Sequence, residues 1–389
     1  MKKSSNNNSK KKILIFVDYF LPGYKAGGPI KTIKNLVNEL SSKFDIYIVT
    51  RNHDFGEETP YNNIESNKWN TQFNLKIMYL SKNKININGI KNILLETKYN
   101  LIYFNSFFSF YFSILPLLIL LFINKQNYKI LLAPRGEFSP GALRIKKIKK
   151  HLYIYLTKII RLYHNVIFHA TNEYELSHIR KYYRQNIIKI APNISGNHES
   201  LLKRETKKLT GSINVVFLSR ITEKKNLLFV IRILKKVTGN VNFNIYGPID
   251  KDKEYWEKCL VEINKLPSNV KVTYHGPIEN SNVQFVFSKN DLFFFPTFGE
   301  NYGHVIWESL SAGCPVLISD QTPWTELEKF KAGWVYSLNK PHKFIEKINY
   351  LIQLDNYEYE KFYNGAQKYL SENLLYKEQI KKNIELFDT

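Results

Sequence analysis

Short runs of branched and aromatic residues alternate with helical patterns along almost the whole chain, which leaves few folds open. In the first half the runs are KILIFVDYF, DIYIVT, LKIMYL, NLIYFNS, KILLA, NVIFHAT and IIKIAPN. In the second half they are INVVFLSR, VNFNIYG, VKVTYHG, DLFFFPT, PVLIS and GWVYSL. Runs without polar alternation suit parallel strands covered on both faces. Between them, Ile30, Ile33, Leu36, Val37 and Leu40 repeat at helical spacing behind Pro29. The expected class is α/β, with two doubly wound Rossmann-like domains. At 389 residues each domain can bury its own core. Turn formers cluster in PNISGNHES, residues 192–200, and mark the break. The boundaries read as a disordered basic tail at 1–12, domains at 13–195 and 200–365, and a C-terminal helix at 366–389 able to pack back on the first domain.

The tail resembles the basic start of an export signal, but the apolar run from Ile13 to Val17 is broken by Asp18 and lacks a small-residue cleavage site. Cys259 and Cys314 offer no disulfide framework, as suits a reducing cytoplasm. Phe107 to Ile123 is marginal in length for a membrane span; Pro116 and two serines weaken it, and a buried or membrane-grazing helix is expected. Charge is uneven. Residues 1–200 carry 30 Lys and Arg against 12 Asp and Glu, so +18 of the total +22 lies there. Such asymmetry points to an anionic surface. Without a zinc pattern, RNA-recognition motif or basic heptad repeat, nucleic acid is not expected as a partner. The excess concentrates in LRIKKIKKHLYIYLTKIIRLYH, residues 143–164. Arg144, Lys147 and Lys158 can share one helical face, and Leu152, Tyr155, Leu156 and Ile159 another. The apolar stripe equally suits a helix that covers a sheet; the lysines favour docking on an anionic membrane.

Two loops carry the chemistry. In FLSRITEKKN a strand delivers Arg220, and Lys225 follows at the first turn of the next helix, a pair suited to a diphosphate. In PTFGENYGHVIWESLSAGCPVLISD, Glu300 and Gly303 lie where a strand meets a helix N-terminus, and Glu308 lies within that helix. Carboxylates accept hydrogen bonds from sugar hydroxyls, while cations and helix amides hold phosphates. A nucleoside-diphosphate sugar meets both demands. Gly27 and Gly28, in YFLPGYKAGGP, match neither a dinucleotide nor a Walker loop but permit close backbone approach. His169 and His275 end strands and read as packing residues, and Asp250 and Asp252 as a solvated turn.

FLSRITEKKN with FPTFGENYGHVIWESLSAGCPVLIS resembles the donor-binding half of family 4 retaining glycosyltransferases, of the GT-B fold (glycosyl transferases group 1). FVDYFLPGYKAGGPIKTIKNLVNEL resembles their opening, and LLAPRGEFSPGALRIKKIKK a subgroup that builds bacterial surface polysaccharides. The resemblance implies two domains facing across a cleft, acceptor-side first and nucleotide-sugar-binding second. It implies that Arg220 and Lys225 hold the diphosphate and that Glu308 binds the ribose. Glu300, with the amides of Asn301, Tyr302, Gly303 and His304, would hold the transferred sugar. Gly27 and Gly28 would close over the phosphates. Many relatives have a sugar-facing histidine where this chain has Arg135, so Arg135 or Glu137 takes the acceptor side.

No cofactor or metal is expected, because fixed cations and helix dipoles stabilise the departing diphosphate. Glu300 and Glu308 are then binders rather than a glycosidase pair. The implied partners are a nucleotide-sugar donor, a lipid-linked glycan acceptor and the inner face of the cytoplasmic membrane. A sugar-nucleotide epimerase of the same fold, or a non-catalytic anionic-surface binder, are the alternative readings.

Overall fold

Strand-forming runs and helical patterns assemble into two parallel-dominated sheets in the computed structural model, which describes residues 10–123, 128–144, 146–195, 204, 207–249, 253–373 and 376–389. The chain divides into two compact units, Met1–Ile194 with Tyr376–Thr389, and Ser195–Leu375.

The first unit contains strands β1 (Lys12–Phe16), β2 (Asp45–Arg51), β3 (Trp69–Gln72) and β4 (Leu75–Leu80). It continues with β5 (Leu101–Phe104), β6 (Lys129–Leu132), β7 (Val166–Ala170) and β8 (Ile188–Ile190). Their order is β3-β4-β2-β1-β5-β6-β7-β8, parallel except for β3 against β4. Neighbouring residues of β1 point to opposite faces, and both faces are buried. Ile13 and Ile15 enter one apolar cluster, Leu14 and Phe16 the other. The helices are α1 (Gly28–Leu40), α2 (Ile87–Glu96), α3 (Leu115–Leu120), α4 (Pro140–Arg144), α5 (Lys147–Ile159) and α6 (Glu173–Arg180). All five apolar positions expected in α1 are buried.

The second unit has strands β9 (Ser212–Leu218), β10 (Asn240–Tyr246), β11 (Val270–Gly276), β12 (Leu292–Phe295), β13 (Val316–Ser319) and β14 (Gly333–Tyr336). All are parallel, ordered β11-β10-β9-β12-β13-β14, the dinucleotide-fold order in which β9 is the point of reversal. Helices α7 (Leu227–Leu234), α8 (Lys253–Ile263), α9 (Val283–Ser288), α10 (His304–Ser311), α11 (Pro341–Gln353) and α12 (Asn356–Asn373) belong to it. Helix α13 (Tyr376–Phe387) returns to the first unit. There Leu386 and Phe387 join the cluster of Ile13 and Ile15, and the Asn383 amide donates to the Pro192 carbonyl at 2.7 Å.

Several local expectations need correction. Residues 1–9 lie outside the described residues, but the tail does not extend to residue 12. Lys12 opens β1, and the Lys11 ammonium donates to the carbonyls of Phe387 and Thr389 at 3.0 Å. The C-terminal helix does not begin at 366: Tyr359, Phe362, Ala366 and Leu370 of α12 are buried in the second unit's core, and only α13 packs on the first. Strand β3, with sequence WNTQ, carries no apolar run; its antiparallel partner defines it. The apolar segment 107–123 forms a π-helical stretch, Phe110–Ile114, leading into α3. No helix among the described residues is long and apolar enough to cross a membrane. Arg144 does not share a helix with Lys147 and Lys158, because Lys146 adopts φ 54° and separates α4 from α5.

Candidate functional site

Loops after β9, β12 and β13 meet at the point where strand order reverses, the usual ligand position of an open parallel sheet. Arg220 lies just past β9, and Lys225 ends a 3-10 turn, Glu223–Lys225. That differs from the expected first turn of a helix. Asn226, at φ 61°, breaks the chain's path before α7 begins at Leu227. Asparagine tolerates this left-handed backbone better than most residues. Its side-chain amide donates to the Pro296 carbonyl at 3.0 Å, which ties the β9 loop to the β12 loop. The Phe298 amide and the Thr297 hydroxyl both donate to the Lys224 carbonyl, at 2.9 and 3.1 Å. The third loop is held by the Glu300 amide donating to Gln321 O and by Ser319 Oγ donating to Thr297 O. Asn226, Thr297 and Ser319 were not singled out from the sequence. Only Asn226, after a Lys-Lys turn, carried a local signal.

This stitching brings Lys225 Nζ against a Glu300 carboxylate oxygen, with the two side chains 15% and 14% exposed. Burial alone would raise the Glu300 carboxyl, but the charges of Lys225, Lys224 and Arg220 outweigh it and hold the group below the usual carboxylate range. Burial lowers Lys225, while Glu300 opposes that shift. Lys224, Lys225, Arg220 and Glu300 therefore form one electrostatic group with an excess of positive charge.

Beside it stands the N-terminus of α10. Gly303 occupies its cap at φ 80°, a left-handed backbone that favours glycine. Trp324 Nε1 donates to the Tyr302 carbonyl and holds the turn. Asn301 and Tyr302 are half-buried, His304 is buried, and Glu308 lies one turn into α10, half-buried. Cations at a strand end, amides at a helix start and a carboxylate one turn along can together hold a diphosphate and a polyol.

Gly27, Gly28, Arg135 and Glu137 lie in the first unit. Gly27 caps α1 at φ 70°. Its loop is pinned by Asp54 Oδ2, which accepts from the amides of Tyr24 and Lys25 at 2.9 and 3.1 Å. Arg135, past β6 at φ 53°, donates to Asn105 Oδ1 at 2.7 Å, to Asn193 Oδ1 and to the Tyr103 hydroxyl. The network thereby binds the ends of β5, β6 and β8 together. Glu137 accepts from Ser106 Oγ and the amides of Phe107 and Phe108, so it caps the turn after β5. Burial raises its carboxyl despite those donors.

His169 contacts the Tyr103 hydroxyl at 3.0 Å and the Ala191 carbonyl at 2.8 Å. Burial, followed by the Arg135 charge, lowers its pKa to about 3, which keeps it neutral in the core. His275 stacks on Tyr246 at 4.3 Å. Asp250 and Asp252 lie outside the described residues.

Residues 198–369, within the second unit, match the family described as glycosyl transferases group 1. An uncharacterized 41.2 kDa protein in the cps region of Klebsiella pneumoniae is 26% identical over 258 residues, 64% of this chain and 68% of that protein. Sucrose-phosphate synthase from Thermosynechococcus elongatus superposes with a TM-score of 0.73 at 14% identity, covering 97% of this chain and 98% of that one. Anabaena HepE, solved in complex with UDP-glucose, gives 0.69 at 14%, covering 97% and 99%. These likenesses establish the GT-B fold for nearly the whole chain.

Proposed function

The chain is a glycosyltransferase with a group 1 domain in its second unit, and from that premise we propose that it moves a sugar from a nucleoside-diphosphate sugar to a lipid-linked glycan acceptor. The observation that carries this reading is the cluster of Arg220, Lys225 and Glu300 at the strand-order reversal, beside the α10 N-terminus. In this reading Arg220 and Lys225 bind the diphosphate. Glu308 accepts from the ribose hydroxyls, and Glu300 with the amides of Asn301 to His304 holds the sugar. A diphosphate entering the site draws the Lys225 ammonium partly away from Glu300, which frees carboxylate lone pairs for sugar hydroxyls. Fixed cations then stabilise the leaving group and supply what a metal supplies elsewhere. Transfer proceeds with retention: the acceptor hydroxyl attacks on the leaving-group face, and a donor phosphate oxygen takes its proton. The relative in a cps region supports a role in surface polysaccharide synthesis.

Docking of the first unit on the inner face of the cytoplasmic membrane belongs to the same reading. On α5, Ile148, Leu152, Tyr155 and Ile159 are 84%, 55%, 62% and 61% exposed, while Ile154 and Thr157 are buried. At about 100° per residue, this exposed stripe points nearly opposite to the buried side. It therefore does not cover the sheet. Lys147 and Lys158 flank it on one side and Lys149 on the other, an arrangement suited to lying in an anionic interface. Phe107 and Phe108, which pack on Tyr153 of α5, lead into the exposed Phe110 and Tyr111.

The test is to incubate purified protein with a panel of sugar nucleotides and a polyprenyl-diphosphate acceptor extract. Release of nucleoside diphosphate that depends on the acceptor is expected. Donor turnover without acceptor would favour an epimerase.

A further inference from the structure

A cavity of about 600 Å³ opens in the first unit between the end of α5, the turn before β7 and the segment between α6 and β8. Its lining converges Lys158, Arg161, His164, Lys181 and Arg184 and contains no carboxylate. The walls are hydrogen-bonded to one another. Asn186 Nδ2 donates to the carbonyls of Tyr163 and Val166 at 2.6 and 3.1 Å, and the Tyr183 hydroxyl bonds Thr157 Oγ1 at 3.0 Å. Lys158 Nζ lies 5.8 Å from the ring centres of both Tyr182 and Tyr183. The positive field is felt nearby: burial and then the Lys181 charge lower the pKa of His178.

Its position separates it from the candidate transfer site. Tyr163 and His164 precede β7 and Arg184 to Asn186 precede β8, so the cavity sits at the amino ends of these strands. Gly27, Arg135 and Asn193 follow the carboxyl ends of β1, β6 and β8, at the opposite edge of the same sheet. A substrate subsite has no reason to be there.

We propose that this cavity is a binding site for the phosphate head-group of an anionic membrane phospholipid, seated as α5 lies in the membrane interface. Two guanidinium groups suit the paired oxygens of a phosphodiester, and lysine and histidine add charge without demanding a fixed direction. A volume of this size exceeds what a bare phosphate fills and accommodates an alcohol beyond it. Tyr182 and Gln185 also line the cavity, with a hydroxyl and an amide of the kind that would suit that alcohol. At the same end of α5, Ile159 and Ile160 are 61% and 52% exposed, where acyl chains would run. The cavity thus adds a specific lipid contact to a diffuse attraction, and it rests on the membrane docking proposed above.

The experiment titrates the full chain with dihexanoyl phosphatidylglycerol below its micelle concentration, by calorimetry. Dihexanoyl phosphatidylcholine and inorganic phosphate serve as controls, and sedimentation with phosphatidylcholine vesicles containing phosphatidylglycerol runs in parallel. Saturable one-to-one binding is expected, at least tenfold tighter than either control. The exposed double variant Arg161→Glu/Arg184→Glu is expected to lose at least tenfold with an unchanged unfolding midpoint. Equal binding by the variant, equal affinity for inorganic phosphate, or displacement of the lipid by a single-stranded oligonucleotide at lower concentration would overturn the proposal. Wild-type sedimentation with anionic vesicles but no binding of the soluble lipid overturns the pocket and leaves docking standing. One-to-one binding of the soluble lipid by a chain that stays off vesicles removes docking and overturns the proposal as a membrane contact.

Discussion

Lys225 and Glu300, 75 positions apart, form an ion pair at the carboxyl ends of two adjacent strands, with little of either side chain exposed. Removing one partner leaves the other charge buried and uncompensated, at a cost of about 3–5 kcal/mol for a fully buried pair. Lys225→Ala is therefore expected to lower both turnover and melting temperature. The double variant Lys225→Met/Glu300→Gln is expected to recover stability and remain inactive. Thermal unfolding and donor turnover on the four members of that cycle check it; an active double variant would contradict the roles proposed for both residues.

Glu308→Ala is a different case. The residue is half-buried one turn into α10. Turnover is expected to fall by about 100-fold, the effect of losing one preorganised polar group (about 2.7 kcal/mol). The melting temperature should stay within a few degrees. An active variant would remove Glu308 from the donor site.

Acidification is expected to weaken the first unit through His169. Its folded pKa is lowered to about 3 by burial and by Arg135, against about 6.5 unfolded. Between those values the unfolded chain binds a proton that the folded chain refuses. Stability therefore falls as pH drops through this window, by up to about 1.4 kcal/mol per unit, and is fully present above it. Urea midpoints at pH 7.5 and 5.0 for wild type and His169→Gln measure this; a variant as acid-sensitive as wild type would assign the loss elsewhere.

Transfer is expected to survive a chelator. Arg220, Lys224 and Lys225 already surround the place proposed for the diphosphate, and their charge is felt at Glu300. Nucleoside-diphosphate release with and without EDTA decides the matter. Loss of activity that added Mg²⁺ or Mn²⁺ restores would direct attention back to Asp250 and Asp252.

Membrane docking should respond to both halves of α5. Lys150 must be spared, because its ammonium donates to the Ala142 carbonyl at 2.6 Å and ties α4 to α5. Changing Lys146, Lys147 and Lys149 to Glu removes an attraction of about 1 kcal/mol per residue, and salt screens what remains. Ile148→Ser/Leu152→Ser/Ile159→Ser is expected to weaken binding to neutral and anionic vesicles alike. Sedimentation at low and high salt reads both effects. Wild-type binding that ignores vesicle charge would refute the electrostatic part.

The alternation of strands and helices, the class of fold and the positions of Arg220 just past a strand, Glu300 in the loop before α10 and Glu308 within α10 were legible from residue order. The reason is that burial on both faces of a parallel strand, and helical spacing between strands, are written in neighbouring residues. Strand β3 was not legible, because an edge strand without an apolar run exists only through its pairing with β4. The pairing of Lys225 with Glu300 depends on β9 and β12 lying side by side, a contact that loops closed by Asn226, Thr297 and Ser319 make exact. Helix α5 makes the same point from the opposite direction. Its apolar stripe is plain in the sequence, but two uses of that stripe were open. Which side of a helix meets the sheet follows from the packing of Tyr153, Ile154 and Thr157 against residues far along the chain, and that packing turns the stripe outward.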